Sequence, residues 1–337
     1  MTDKEYLLAI LEELINIPSV SGCCEEALDV LEKRAKELGF SLTSDRRGNR
    51  YLEIKGKNDS EKHMLAAHID TIGMMVRQIL PDGSLRFARV GGPNPHTLEG
   101  DYVLVHTADG RTIPGIVYCD VSSVHAFPNA IGAPRDENNM RVLLNEDVRS
   151  AADTKALGIS NGDMISIEPR YKRFENGYIM SRYLDNKASV AILMTAAKAV
   201  CDNGIVPENT VILAFTVGEE VFQSFHVPDG ISEYVALDTP VAAPQFETTE
   251  HDVGLICMDK YGPYDAVLTE KLEKAALAVG VSPKKDVYGA GLNAYGCGAR
   301  FNSSPNKVAY VVLAGSNLKV SHVDITHDVV GIGDIAV

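Results

Sequence analysis

Five short segments of this 337-residue chain carry side chains able to bind divalent cations or move protons. They are His68-Ile69-Asp70, Asp185-Asn186, Glu219-Glu220, Asp238, and the late stretch SHVDITH with His322 and His327. Each alone has a plain structural reading. An isolated His-x-Asp is commonly structural, adjacent glutamates commonly line a solvated helix face, and an Asp opening a helix is commonly an N-cap. Together, these imidazoles and carboxylates make one ligand set for two borderline cations, with a further carboxylate left to handle protons. Two cations a few ångströms apart repel, so an anionic ligand must lie between them. Water held there loses a proton near neutrality, and an amide carbonyl is polarised at the same place. A carboxylate that binds no metal can then carry that proton to the leaving amine. Glu219 beside Glu220 suits this division, because neighbouring side chains diverge.

Such residues act together only if the fold gathers them, and the pattern around them predicts that it does. HMLAAHID (63–70) is an apolar run ending in polar residues, as in a buried strand whose carboxyl end opens into a site. TVILAFT and YVALD read as further strands ahead of Glu219-Glu220 and at Asp238. In open α/β sheets, ligand-binding groups gather at the carboxyl ends of strands. Helical spacing predicts helices over Tyr6–Ile15, about Glu25 to Leu38, about Asn186 to Cys201, and near Leu268–Val279. SLTSDRRGNRYLEIKG reads as strand, turn and strand, and VAYVVLAGS as a late strand.

Between Thr71 and about Tyr171 the texture changes. Short alternating stretches (SLRFARV, YVLVHT, MRVLLNE, MISIEP) are separated by Gly, Pro, Asp and Asn turns, with one short helix expected over Ser150–Leu157. The expected architecture is a catalytic α/β domain from residues 1–70 and 175–337, with a β-rich domain inserted at 71–174.

Composition bounds the function. A net charge of -14 argues against nucleic acid or an anionic membrane as partner, while leaving room for an anionic pocket that collects cations. No run of about 18 apolar residues is present to span a bilayer. The N-terminal segment mixes acidic residues with apolar ones, unlike a signal peptide. Six scattered cysteines read as reduced, buried, apolar thiols of a cytoplasmic protein.

MLAAHIDTIGMMV, SRYLDNKASVAILM, FTVGEEV, YVALD and the late histidine segment resemble the tetrahedral aminopeptidases. This is the glutamyl and deblocking aminopeptidase family of metallopeptidases, some members of which carry the label endoglucanase or cellulase M. The similarity runs from about Leu11 to Asp334 and includes RVLLNEDVRSAADTKALGISNGDMISIEP near the end of the insertion. It implies a zinc-peptidase-like α/β domain, in which helices layer a mixed sheet, with a small β-barrel or PDZ-like insertion. It implies two zinc or cobalt ions, peptide substrates, and homo-oligomers as large as hollow dodecamers. By position it implies Asp185 as the ligand shared by both metals, His68 and Asp238 on one, Glu220 and His322 on the other, and Glu219 as general base. His327 is the alternative to His322. This chain has Thr71, Asn186, Phe222 and Asn293 where the family pattern has Glu, Asp, Gly and Asp.

The competing readings are another amidohydrolase on a two-metal scaffold, such as an acyl-amino-acid deacylase or carboxypeptidase, and a non-catalytic oligomeric relative. A glycosidase would need two catalytic carboxylates free of metal, whereas these sit among histidines. Elsewhere the plain readings hold. Met74 and Met75 read as core or pocket lining; Lys187 as a surface side chain; His96, His106, His125, His226 and His251 as histidines without a role.

Overall fold

The computed structural model describes residues 3–223, 227–259 and 262–288, and the backbone of 307–313. His226, Asn293, His322 and His327 lie outside the described residues. The chain divides into two units. One comprises Met1–Ile17, Cys24–Asp70 and Arg170–Val337, the other Pro18–Cys23 and Thr71–Pro169.

In the larger unit two helices come first, α1 (Lys4–Ile15) and α2 (Glu25–Glu37). Asp3 caps α1 by accepting the Tyr6 N–H at 2.9 Å, and the helix buries Leu7, Leu8, Ile10, Leu11, Leu14 and Ile15 along one side. Strands β1 (Leu42–Ser44) and β2 (Arg50–Ile54) form a hairpin, followed by β3 (Asn58–His68). Its turn is organised by Asp45, which accepts from Arg47 N, Asn49 N, Asn49 Nδ2 and Tyr51 Oη. Gly48 supplies the positive φ of 93° that this turn needs.

The smaller unit follows in the chain. It holds β4 (Gly73–Ile79), β5 (Leu85–Val90), β6 (Tyr102–His106), β7 (Thr112–Cys119), β8 (Met140–Leu144), α3 (Ala151–Ala156) and β9 (Met164–Ile167). Its strands close into a barrel in the order β4-β5-β8-β7-β6-β9. Alternation puts Phe87, Val103, Val105, Val117, Val142 and Ile165 inside, each under 3% exposed. Met74 is part of this filling and Met75 is half-buried.

The chain then returns to the larger unit with β10 (Lys172–Arg173), β11 (Ile179–Met180), α4 (Leu184–Asp202), β12 (Asn209–Thr216), β13 (Ile231–Asp238) and β14 (Val253–Asp259). β15 (Gly262–Pro263), α5 (Ala266–Ala278), β16 (Lys284–Val287) and β17 (Lys307–Leu313) complete the described elements. A mixed sheet runs β1-β2-β12-β3-β13-β17-β14-β15, with β16 beside β14. β12, β3, β13 and β17 are parallel, flanked by antiparallel β2 and β14. α4 packs on β3, β13 and α1, and α5 on β14 and β17. α4 is apolar nearly all round because it is a buried helix. The architecture is the expected α/β fold, a mixed sheet layered by helices with a closed barrel in the smaller unit.

The sequence reading omits β14. Its residues Gly254, Leu255 and Ile256 are buried in succession, so the strand shows no two-residue period to read. The cysteine expectation is corrected in part: Cys24 and Cys119 are buried, Cys257 is half-buried, and Cys23 and Cys201 are exposed. Among the described residues no helix is long and apolar enough to cross a membrane.

Candidate metal centre

His68 is the last residue of β3 and Asp238 the last of β13, and the two strands run parallel. Thr216, paired with His68, ends β12, and the chain turns at once through Gly218, Glu219 and Glu220. Asp185 lies in the first turn of α4, the helix that packs on β3 and β13. Three parallel strand ends and one helix start therefore carry the polar clusters to one edge of the sheet.

The distances are short. His68 Nε2 lies 3.0 Å from Asp185 Oδ1, and 3.7 Å from both Glu219 Oε2 and Asp238 Oδ1. Donor atoms of His68, Asp185 and Glu220 lie within 4.8 Å of one another. The His68 ring is 1% exposed, the Asp238 side chain 8%, Glu219 12%, and Asp185 39%, so the site is buried with its opening at Asp185. His68 Nδ1 donates to the Asp70 carbonyl at 3.0 Å, which leaves Nε2 facing the carboxylates.

Asp185 is not a helix cap. Its φ and ψ of -77° and 105° are non-helical, its peptide bond to Asn186 is cis, and its carboxylate meets His68 instead of the α4 amides. The glutamates are not on a helix face either. They sit in a turn closed by Phe222 N to Glu219 O and Gln223 N to Gly218 O, both 2.8 Å. Phe222 takes φ 55° there, the left-handed region that favours the glycine of the family pattern and costs a bulky residue about 1–2 kcal/mol.

Two residues with no assigned role hold this turn. Asp70, fully buried, accepts from Glu219 N at 3.1 Å and Glu220 N at 3.3 Å through its two carboxylate oxygens. Asn49 Oδ1 accepts from Val217 N at 3.1 Å, tying the hairpin turn to the same loop. Asp70 stands in the His-x-Asp pair, but its bond to the glutamate loop joins residues about 150 apart, a separation no local pattern reveals.

Electrostatically the cluster is one imidazole among five carboxylates, those of Asp70, Asp185, Glu219, Glu220 and Asp238. Burial opposes a charge on His68, but hydrogen bonds with Asp185, Asp238 and Asp70 outweigh it, and its pKa stands well above the ordinary histidine value. Burial pushes the Glu219 carboxyl up to about 8, helped by the charges of Asp238, Asp185 and Asp70. Burial, then the Asp185 charge, raises Glu220 well above its usual range, and the same causes lift Asp238 to about 6. At Asp185 burial is outweighed by the hydrogen bond with His68, and the pKa falls. These carboxylates crowd together as they would around positive charge. Ligand atoms about 2.1 Å from a tetrahedral zinc are separated by roughly 3.4 Å. The 3.0 and 3.7 Å spacings around His68 bracket that value. The residues fit a divalent cation.

Of the predicted site residues, His68, Asp185, Glu219, Glu220 and Asp238 are brought together; His322 and His327 lie outside the described residues. The expectation for Lys187 is overturned. It is fully buried, because α4 is covered on this side by α1.

The sequence profile of the M42 glutamyl aminopeptidases matches residues 48–327. YhfE of Bacillus subtilis (strain 168), whose aminopeptidase label is provisional, is 32% identical over 290 residues, covering 86% of this chain and 84% of that protein. The fold is that of a TET aminopeptidase from a marine sediment archaeon, Thaumarchaeota archaeon SCGC AB-539-E09 (TM-score 0.76, 20% identity, 92% of this chain and 89% of the other). It is equally that of Pyrococcus horikoshii TET1 peptidase, which assembles into a tetrahedron or a large octahedral shell (TM-score 0.75, 22% identity, 91% and 90%). The matched profile, covering most of the chain and the whole described ligand cluster, makes this protein a member of the M42 glutamyl aminopeptidase family, metallopeptidases that hydrolyse peptide bonds.

Proposed function

We propose that the protein is a two-metal aminopeptidase that releases the first residue of short peptides. The observation that carries this reading is the approach of Asp185, Glu219 and Asp238 to one buried imidazole within 3.7 Å. His68 and Asp238 would hold one cation, Glu220 with His322, or His327 in its place, the other, and Asp185 both. When bound, such ions, zinc or cobalt in this donor set, polarise the scissile carbonyl and make water a nucleophile at neutral pH.

The chain's own residues do the rest. Glu219 takes the proton of the attacking water on Oε2 and returns it to the nitrogen of the leaving amine. Asp70 holds the Glu219 and Glu220 amides, so both side chains project from a fixed turn. Burial of His68 and Asp238 keeps bulk water from the inner side of the site. A panel of free peptides, N-acetylated peptides and N-acyl amino acids tests the activity. Cleavage of the free peptides alone is expected; cleavage of the acylated compounds alone would make the protein a deacylase.

A homo-oligomer is part of the proposal, supported by the shell assembly of the Pyrococcus horikoshii TET1 peptidase. Light scattering should give a particle many times the 36.5 kDa of one chain. A 36.5 kDa particle at working concentration would refute it. The described cysteines, none in a disulfide, fit a reducing cytoplasm.

A further inference from the structure

Lys187 is the one fully buried lysine among the described residues, and the chemistry above does not use it. Its ammonium donates to the Leu14 carbonyl at 2.8 Å and the Ile17 carbonyl at 2.6 Å, and lies 5.6 Å from the centre of the Tyr183 ring. Leu14 lies in the last turn of α1, where four carbonyls of any helix lack partners within it and the helix dipole favours a cation, and Ile17 stands two residues past its end. A buried amino group is costly unless it is well bonded, and these two bonds tie the start of α4 to the end of α1.

The preceding residue makes a second tie. Asn186 is fully buried, and its Nδ2 donates to the Leu237 carbonyl at 2.8 Å. Leu237 immediately precedes Asp238 in β13. The other amide atom of Asn186, Oδ1, is buried with no hydrogen-bond partner among the described residues. An unsatisfied buried acceptor lowers stability, so a plain structural role would be served better by a leucine of similar volume. What the asparagine provides is the bond to Leu237.

Asp185 stands directly before these two residues. The backbone leading into it is irregular, with Tyr183 in the left-handed region at φ 65°, a conformation disfavoured for a bulky side chain. The ties of Asn186 and Lys187 fix the two residues directly after Asp185, and with them the direction in which its carboxylate leaves the chain. We propose that Asn186 and Lys187 form a two-point clamp, one tie to β13 beside Asp238 and one to the end of α1, that positions the Asp185 carboxylate for metal binding. Both are positioning residues, acting through Asp185. The inference rests on the proposed metal site.

The test compares the unaltered protein with Asn186→Leu, Lys187→Met and Lys187→Arg. Zinc affinity is measured by competition with a chromogenic chelator, and melting temperature on the metal-free proteins. Partners behind a metal ligand typically control affinity or activity by about 10- to 100-fold. A loss of zinc affinity in that range is expected for Asn186→Leu and Lys187→Met, with Lys187→Arg recovering most of it. Asn186→Leu should melt no lower than the unaltered protein, since it also removes the orphaned oxygen. At saturating zinc, kcat should fall in both weakened variants while KM stays unchanged. Should Lys187→Met fail to fold, Asn186→Leu decides alone. Unchanged zinc affinity in Asn186→Leu overturns the clamp and leaves the metal site standing, as does an affinity loss matched by a lower melting temperature. Failure of the unaltered protein to bind zinc or cobalt overturns both.

Discussion

Replacing Glu219 with glutamine should lower turnover by about 10²-fold or more while both metals stay bound. The glutamine keeps the length and shape of the side chain and the backbone bond from residue 219 to Asp70. It removes only the ability to take and return a proton. The carboxyl is well placed for that work, since its Oε2 lies 3.7 Å from His68 Nε2, at the edge of the ligand cluster. Burial and three neighbouring acids raise its pKa to about 8, so in the metal-free site it readily keeps a proton at neutral pH. Metal content and rate should be measured on one preparation. Glu220→Gln is the contrast: there the lost carboxylate is a proposed ligand, and metal occupancy should drop together with rate. Loss of metal in the Glu219 variant would move that residue into the ligand set and leave the reaction without its assigned base.

Chelation should abolish turnover and lower the melting temperature, with both restored by adding back zinc or cobalt. Asp185, Glu219, Glu220 and Asp238 crowd one imidazole, and the amino group of nearby Lys187 is engaged by the backbone carbonyls of Leu14 and Ile17. Removing bound cations leaves these acids facing one another at 8–39% side-chain exposure for Asp238, Glu219 and Asp185. A ligand that binds only the folded state stabilises it by about 2.7 kcal/mol when present at one hundred times its Kd. For a chain of this size that corresponds to a shift of several degrees. Thermal melts with graded zinc, each paired with an activity reading, check the prediction. Full activity in a chelated sample shown by elemental analysis to be metal-free would eliminate the two-metal mechanism. Stabilisation by metal without any activity on peptides would favour the non-catalytic relative.

Much of this protein was decided by sequence alone. The residue types at 68, 185, 219, 220 and 238, and their places at strand ends and a helix start, were readable because hydrophobic periodicity marks where buried elements stop. The change from mixed α/β texture to short alternating strands after Thr71 was equally local, since a two-residue period is a property of neighbours along the chain. The resemblance of the polar motifs identified the family for the same reason, being carried by order and spacing.

Tertiary structure alone decided what lies between these marks. Periodicity orders residues within an element and says nothing about which strand lies beside which. The parallel register that sets His68 against Thr216, and the β3–β13 pairing that brings Asp238 near, come from the whole sheet. The same holds for Asp70 bonding a loop about 150 residues away and Asn49 reaching Val217. Lys187 shows the limit most clearly. A lysine near the start of a helix reads as solvated, because exposing an ammonium is the cheapest choice for an isolated helix. Only the packing of α1 over α4, with the Leu14 carbonyl at the helix end and the Ile17 carbonyl just past it accepting from its Nζ, makes burial the lower-energy arrangement.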